Sequence, residues 1–207
     1  MEDNGKFKII EDYIYSLIDV PMYPQKIATY KVSKVSLFYA IFTVLIISAS
    51  KETVIVGSVF YKVVKWTITW FPHYTFIFGY VDYVSIWVVL LGTLIELGAF
   101  VLLSVITHYT LRLMGGKSTL PATLTIIGYS WIVDVIIVVG GLITIGLDIP
   151  STIVVLLVSY VIVLLIKLGL LVRNLSIIHG LKWITSLITV LLVSILFLII
   201  GLAVIVV

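Results

Sequence analysis

Five stretches of this chain, roughly 35–50, 83–109, 121–145, 151–171 and 183–207, carry at most one Asp, Glu, Lys or Arg each. A helix rises about 1.5 Å per residue and the hydrocarbon of a bilayer is about 30 Å thick, so about 20 apolar residues cross it once. Four of the stretches meet that length and the first comes close. A soluble fold would have to hide them from water. With 207 residues, 62% of them hydrophobic and 11% charged, against soluble averages of about 45–50% and about 25%, the chain lacks the polar surface to do so. At a mean hydropathy of +1.29 the excess is expected to face lipid. The expected fold is therefore all-α, a polytopic membrane helical bundle of about five transmembrane helices forming one compact membrane domain over 31–207.

The net charge of +3 does not point to nucleic acid, because the basic residues lie scattered between the apolar stretches instead of forming a stripe. No cysteine is present, which excludes disulfides, thiolate metal sites and cysteine nucleophiles. Residues 1–30 read as a cytoplasmic amphipathic segment. Phe7, Ile10, Ile14 and Leu17 share one helical face and Lys8, Glu11, Asp12 and Ser16 the other, until Pro21 and Pro24 end the pattern. Such a helix lies on a membrane or partner surface, or packs on the protein's own loops. The acidic residues among Met1 to Pro24 are unlike a signal peptide, so no cleavage is expected.

Residues 52–82 differ from the apolar stretches. Lys62 and Lys65 stand among Tyr61, Trp66, Trp70, Phe71, Tyr74 and Tyr80, the mixture the headgroup zone favours, and the stretch is read as an interfacial connector. Alternation of Trp66, Ile68 and Trp70 with Lys65, Thr67 and Thr69 leaves a strand or re-entrant hairpin open, as it does entry of Thr53–Val64 into the bilayer. Lys34 and Lys51 would then snorkel to the two edges of the first span. Counting Lys and Arg by side gives ten on the face of the N-terminus and three (Lys51, Lys62, Lys65) on the other, which predicts a cytoplasmic N-terminus and an outside C-terminus.

Ionisable side chains inside spans are costly and therefore informative. Glu96, Asp134 and Lys167 are the candidates. Counted along ideal helices, Glu96 and Asp134 fall at different depths and are not expected to form a carboxylate pair, whereas Glu96 and Lys167 lie closer, with Tyr129 able to join them. A charge pair buried in the bundle is the plainer reading, and a proton or ion relay the sharper one. Gly115-Gly116-Lys117-Ser118-Thr119 ends like a phosphate-binding loop but has Leu111 where the pattern needs glycine. The two glycines are instead expected to end the second span, with Ser118 or Thr119 capping the third and Pro121 in its first turn. Gly128-Tyr129-Ser130-Trp131-Ile132 lacks the last glycine of a nucleophile elbow. His73, His108 and His179 show no metal-ligand spacing. No enzyme activity, cofactor or metal is expected.

The segment Arg112-Leu-Met-Gly-Gly-Lys-Ser-Thr-Leu-Pro-Ala-Thr-Leu-Thr-Ile-Ile-Gly-Tyr-Ser130 resembles the signature of the Yip family of Ypt/Rab-GTPase-interacting membrane proteins, in a compact, prokaryotic-type form. The residues that carry the likeness are Gly115, Gly116, Thr123, Gly128, Tyr129 and Ser130. Tyr23-Pro24 ahead of the first span and Leu-Ser-Ile-Ile-His179-Gly180 ahead of the last agree with it. Where family members carry a proline shortly after Gly-Tyr-Ser, this chain continues Trp131-Ile132-Val133-Asp134, so no proline kink is implied. The resemblance implies five spans, a cytoplasmic N-terminus and a non-enzymatic role in partner binding or membrane organisation. The expected partners are the lipid bilayer and a membrane or cytoplasmic protein, not nucleic acid, with homo-oligomers left open. The alternative is a small transporter, or a membrane subunit of one, using Glu96, Asp134 and Lys167.

Overall fold

The computed structural model describes residues 34–71 and 78–206. The amphipathic segment expected over 1–30 lies outside them. The regular elements of the described residues are all helices: α1 (Lys34–Ile55), a π-helical turn (Val56–Phe60), α2 (Tyr61–Trp70), α3 (Phe78–Leu113), α4 (Leu120–Ser130), a 3-10 turn (Trp131–Asp134), α5 (Val135–Ile143), a 3-10 turn (Thr144–Gly146), α6 (Ile149–His179) and α7 (Trp183–Val206). Four runs, Ser36–Trp70, Tyr83–Leu113, Leu120–Gly146 and Ile149–His179, are long and apolar enough to cross a membrane. Their outward-facing leucines, isoleucines and valines are widely exposed, as side chains that meet lipid must be. The chain is an integral, multi-pass membrane protein. The fifth expected span coincides with α7, of 24 residues.

The first span does not end near Ser50. The helix passes through Lys51 and Glu52 and continues, by way of the π turn, to Trp70, so the stretch read as a connector is helical over 52–70. Two local features permit this. The hydroxyls of Thr53, Ser58, Thr67 and Thr69 each donate to the carbonyl four residues back, a bond that hides a polar group inside a helix. Lys51 is itself buried instead of snorkelling to an edge. The third span breaks at Trp131–Asp134 into a 3-10 turn although no proline stands there.

The molecule resolves into two compact units: Met1–Val44 with Ala99–Ile132 and Lys167–Val207, and Leu45–Gly98 with Val133–Ile166. In the first, Tyr39, Ala40, Leu111, Ile126, Tyr129, Leu175 and Val190 belong to one buried apolar cluster. Gly128 lets α4 approach α1 there, since a β-carbon on it would come within 2.9 Å of that of Ala40. In the second, Gly140 and Gly141 of α5 meet Ser159 and Val54 in the same way. Small residues thus mark helix contacts, as expected where lipid removes the hydrophobic drive for helices to associate.

Two identical caps close helices in the first unit. Gly115 (φ +93°) and Gly180 (φ +65°) take the left-handed conformation. After α3, Gly116 N–H donates to Leu111 O and Gly115 N–H to Arg112 O; after α6, Leu181 N–H donates to Ser176 O and Gly180 N–H to Ile177 O. This is the paired bond pattern of the Schellman motif. The double glycine ends its helix as the sequence predicts. Thr119 occupies the N-cap of α4 with Pro121 in the first turn, but neither it nor Ser118 caps through its side chain; the Thr119 carbonyl takes the N–H of Thr123 instead.

Candidate functional site

The second unit places a buried charge cluster within its spans. Lys51 on α1 forms an ion pair with Glu96 Oε1 on α3 and lies 3.8 Å from Asp134 Oδ2 at the end of the 3-10 turn. The side chains of Lys51, Glu96 and Asp134 are 8%, 21% and 4% exposed, so water screens the charges little. Glu52, next to Lys51 in the chain, lies over Gly92, whose absent β-carbon would sit 2.8 Å from the Glu52 carboxyl carbon. The second carboxylate oxygen of Glu96 is buried and has no hydrogen-bond partner. Two carboxylates therefore share one ammonium, with a third carboxyl close by.

This arrangement corrects two expectations. Glu96 pairs with Lys51 and not with Lys167, whose ammonium stands 4.1 Å from the centre of the Trp131 ring, a favourable cation–π position. Tyr129 is fully buried and belongs to the apolar cluster of the first unit. Glu96 and Asp134 converge despite their separation in ideal depth, because the flexible arm of one lysine reaches both. Sequence reasoning missed Lys51 because a lysine at the edge of a 16-residue apolar run resembles an interfacial anchor. The available signal was the apolar run resuming on its far side, at Val54-Ile55-Val56.

The first unit holds a second polar cluster. Thr123 Oγ1 lies 3.1 Å from His108 Nδ1, 3.1 Å from His179 Nε2 and 3.2 Å from the Thr119 carbonyl. A hydroxyl has one proton for these three neighbours, so at least one imidazole donates an N–H to Thr123. All three side chains are buried. His179 Nδ1 has no hydrogen-bond partner and faces Gly116, whose β-carbon position is only 2.5 Å from it. The two helix caps are tied to each other at this point by Lys117 N–H donating to His179 O. Gly115, Gly116, Thr123 and His179 are thus brought together, while Gly128 and Ser130 lie buried further along α4. His108 and His179, expected to be unrelated, are linked through Thr123; His73 lies outside the described residues.

No protein-family model, curated protein or solved structure matches this chain. The site is therefore read from its own chemistry. Among the described residues no three His, Asp or Glu side chains gather as metal ligands. What the charge cluster can do is hold a proton. A hard divalent cation asks for about six oxygen ligands, whereas a proton needs one.

Proposed function

We propose that this chain is a non-enzymatic transport protein, or the membrane subunit of one, that takes up and releases a proton at Lys51, Glu96 and Asp134. The observation that carries the reading is the count of charges: one lysine faces two carboxylates inside the spans. An unpaired ion taken out of water costs several kcal/mol, and intramembrane carboxylates commonly serve proton pathways. A single ammonium neutralises one carboxylate, so the other is held most cheaply as the acid. The helix irregularities support the same reading. Asp134 closes a 3-10 turn within its span and the π turn begins shortly after Glu52, and such interruptions are frequent where helices bend or work. Flux measurements in reconstituted vesicles test it. A pH gradient should drive proton or solute movement in the wild type, with the movement lost in Asp134→Asn while the protein stays folded; equal flux in both, or none in either, rules the reading out.

A second reading, partner binding in the manner of the Yip family, rests on the motif residues named above. Beside their cluster Leu113 is 89% exposed and Met114 40%, an apolar tip at the end of α3. With the N-terminus cytoplasmic, this tip faces the cytoplasm and is the contact surface. A photo-crosslinker at position 113 should capture one defined protein from native membranes; capture of lipid alone removes this reading.

A further inference from the structure

The far end of the second unit holds an open site separate from the charge cluster. A cleft of about 480 Å³ lies between the π turn and α2 on one side and the turn before α6 on the other, lined among others by Lys62, Lys65, Trp66 and Asp148. An apolar groove of about 420 Å³, lined by Val56, Ile86, Val89 and Leu90, runs between the π turn and α3. Gly57 and Tyr61 line both, so the charged cleft adjoins the apolar groove. Nothing stands within 4 Å of the place a Gly57 β-carbon would occupy. The junction is therefore open because its residue is glycine, on a π turn that swells the helix at that point.

The charges in the cleft do not cancel. The Lys62 ammonium donates to Thr144 O, to Leu147 O at 2.8 Å and to Thr152 Oγ1 at 2.8 Å. It is thereby spent on the turn between α5 and α6, and its charge is balanced by Asp148 nearby. The ammonium of Lys65, exposed and one turn along, makes no hydrogen bond or ion pair among the described residues. The site carries one spare positive charge. Its level in the bilayer follows from the backbone: the turn at Leu147-Asp148 cannot sit exposed in hydrocarbon, and Trp66 and Trp70, 54% and 66% exposed, suit the headgroup zone.

We propose that this cleft and groove hold one anionic glycerophospholipid, its phosphodiester on Lys65, its glycerol beside Gly57 and Tyr61, and one acyl chain between Val56 and Val89. A headgroup with one net negative charge matches the single spare lysine, and the groove supplies what a free phosphate would not use. Basic pockets beside spanning helices bind acidic lipids on the same principle. The complete protein in a neutral detergent, titrated with phosphatidylglycerol, phosphatidylcholine or soluble glycerophosphoglycerol and observed by native mass spectrometry, tests this. One phosphatidylglycerol should bind at least about tenfold tighter than phosphatidylcholine, a difference of about 1.4 kcal/mol. Lys65→Gln, an exposed change that leaves packing intact, should abolish that preference, and Gly57→Phe should weaken both lipids. Equal binding of the two lipids, a preference that survives Lys65→Gln, or competition by the soluble headgroup as strong as by the lipid would each overturn the proposal.

Discussion

In the second unit the Lys51 ammonium is the counter-charge for both Glu96 and Asp134. Removing one partner from a buried pair typically costs about 3–5 kcal/mol, because the other charge is left uncompensated. Lys51→Met should lower stability by that order at neutral pH, and the deficit should shrink in acid as protons replace the lost ammonium; unfolding in detergent across pH measures both. Gly116 is as constrained by space as Lys51 is by charge. A β-carbon there meets His179 Nδ1 at 2.5 Å and the Leu111 carbonyl at 2.8 Å, and the carbonyl is backbone that cannot swing aside. Gly116→Ala should therefore cost about 1–3 kcal/mol, the usual range for overpacking, whereas Gly98→Ala, with open space around it, should be close to neutral by the same assay. Glu96 and Asp134 are legible as expensive residues in apolar runs. Their partner is not, because pairing across helices depends on where a side chain ends and not on how far apart the residues stand in sequence. The same holds for His108 and His179, which meet only through Thr123.

At the level of elements, the apolar runs fix the spans where they are uninterrupted: α3, α4 to α5, α6 and α7 lie close to the stretches read from composition. The reading fails at 52–70, where Glu52, Lys62 and Lys65 and an alternating aromatic pattern resemble a connector. Tertiary pairing hides Lys51, and the Thr67 and Thr69 hydroxyls satisfy themselves on the helix backbone, so α1 and α2 continue where local pattern predicts a stop. Lys62 then works as a clasp on the turn between α5 and α6. Charged hydrogen bonds of this kind contribute about 1.5–3 kcal/mol, so Lys62→Met should destabilise by about that much and raise amide exchange at Thr144 to Leu147. Asp148 starts α6. The Ser151 hydroxyl bonded to its carboxylate, with Lys62 nearby, holds its pKa below the ordinary aspartate range. A depressed folded value means the stabilisation is complete above the unfolded value, about 3.9, and is lost as pH falls through the folded one. Asp148→Asn should thus melt earlier than wild type at neutral pH, and the two should converge in strong acid.

On the scale of the whole molecule, composition alone establishes a multi-pass membrane protein, while its division into two units is invisible to it. That division depends on which segments of the long helices pack together, and hydropathy averages over it. The lysine count behind the expected cytoplasmic N-terminus loses Lys51, which is buried within a span, and rests on Arg112, Lys117, Arg173 and Lys182 among others. With no native cysteine, single cysteines introduced at Lys117 and Leu147 should be labelled by impermeant reagents from opposite faces, Leu147 from outside intact cells; labelling of both from one side contradicts the orientation. The central claim, that one lysine shared by two carboxylates leaves an acid group inside the membrane, is tested most directly by infrared spectroscopy of the protein in bilayers at neutral pH. A carbonyl band of a protonated carboxylic acid should be present in the wild type and vanish in Glu96→Gln or in Asp134→Asn. Absence of the band, or a band that persists in both Glu96→Gln and Asp134→Asn, would contradict the account.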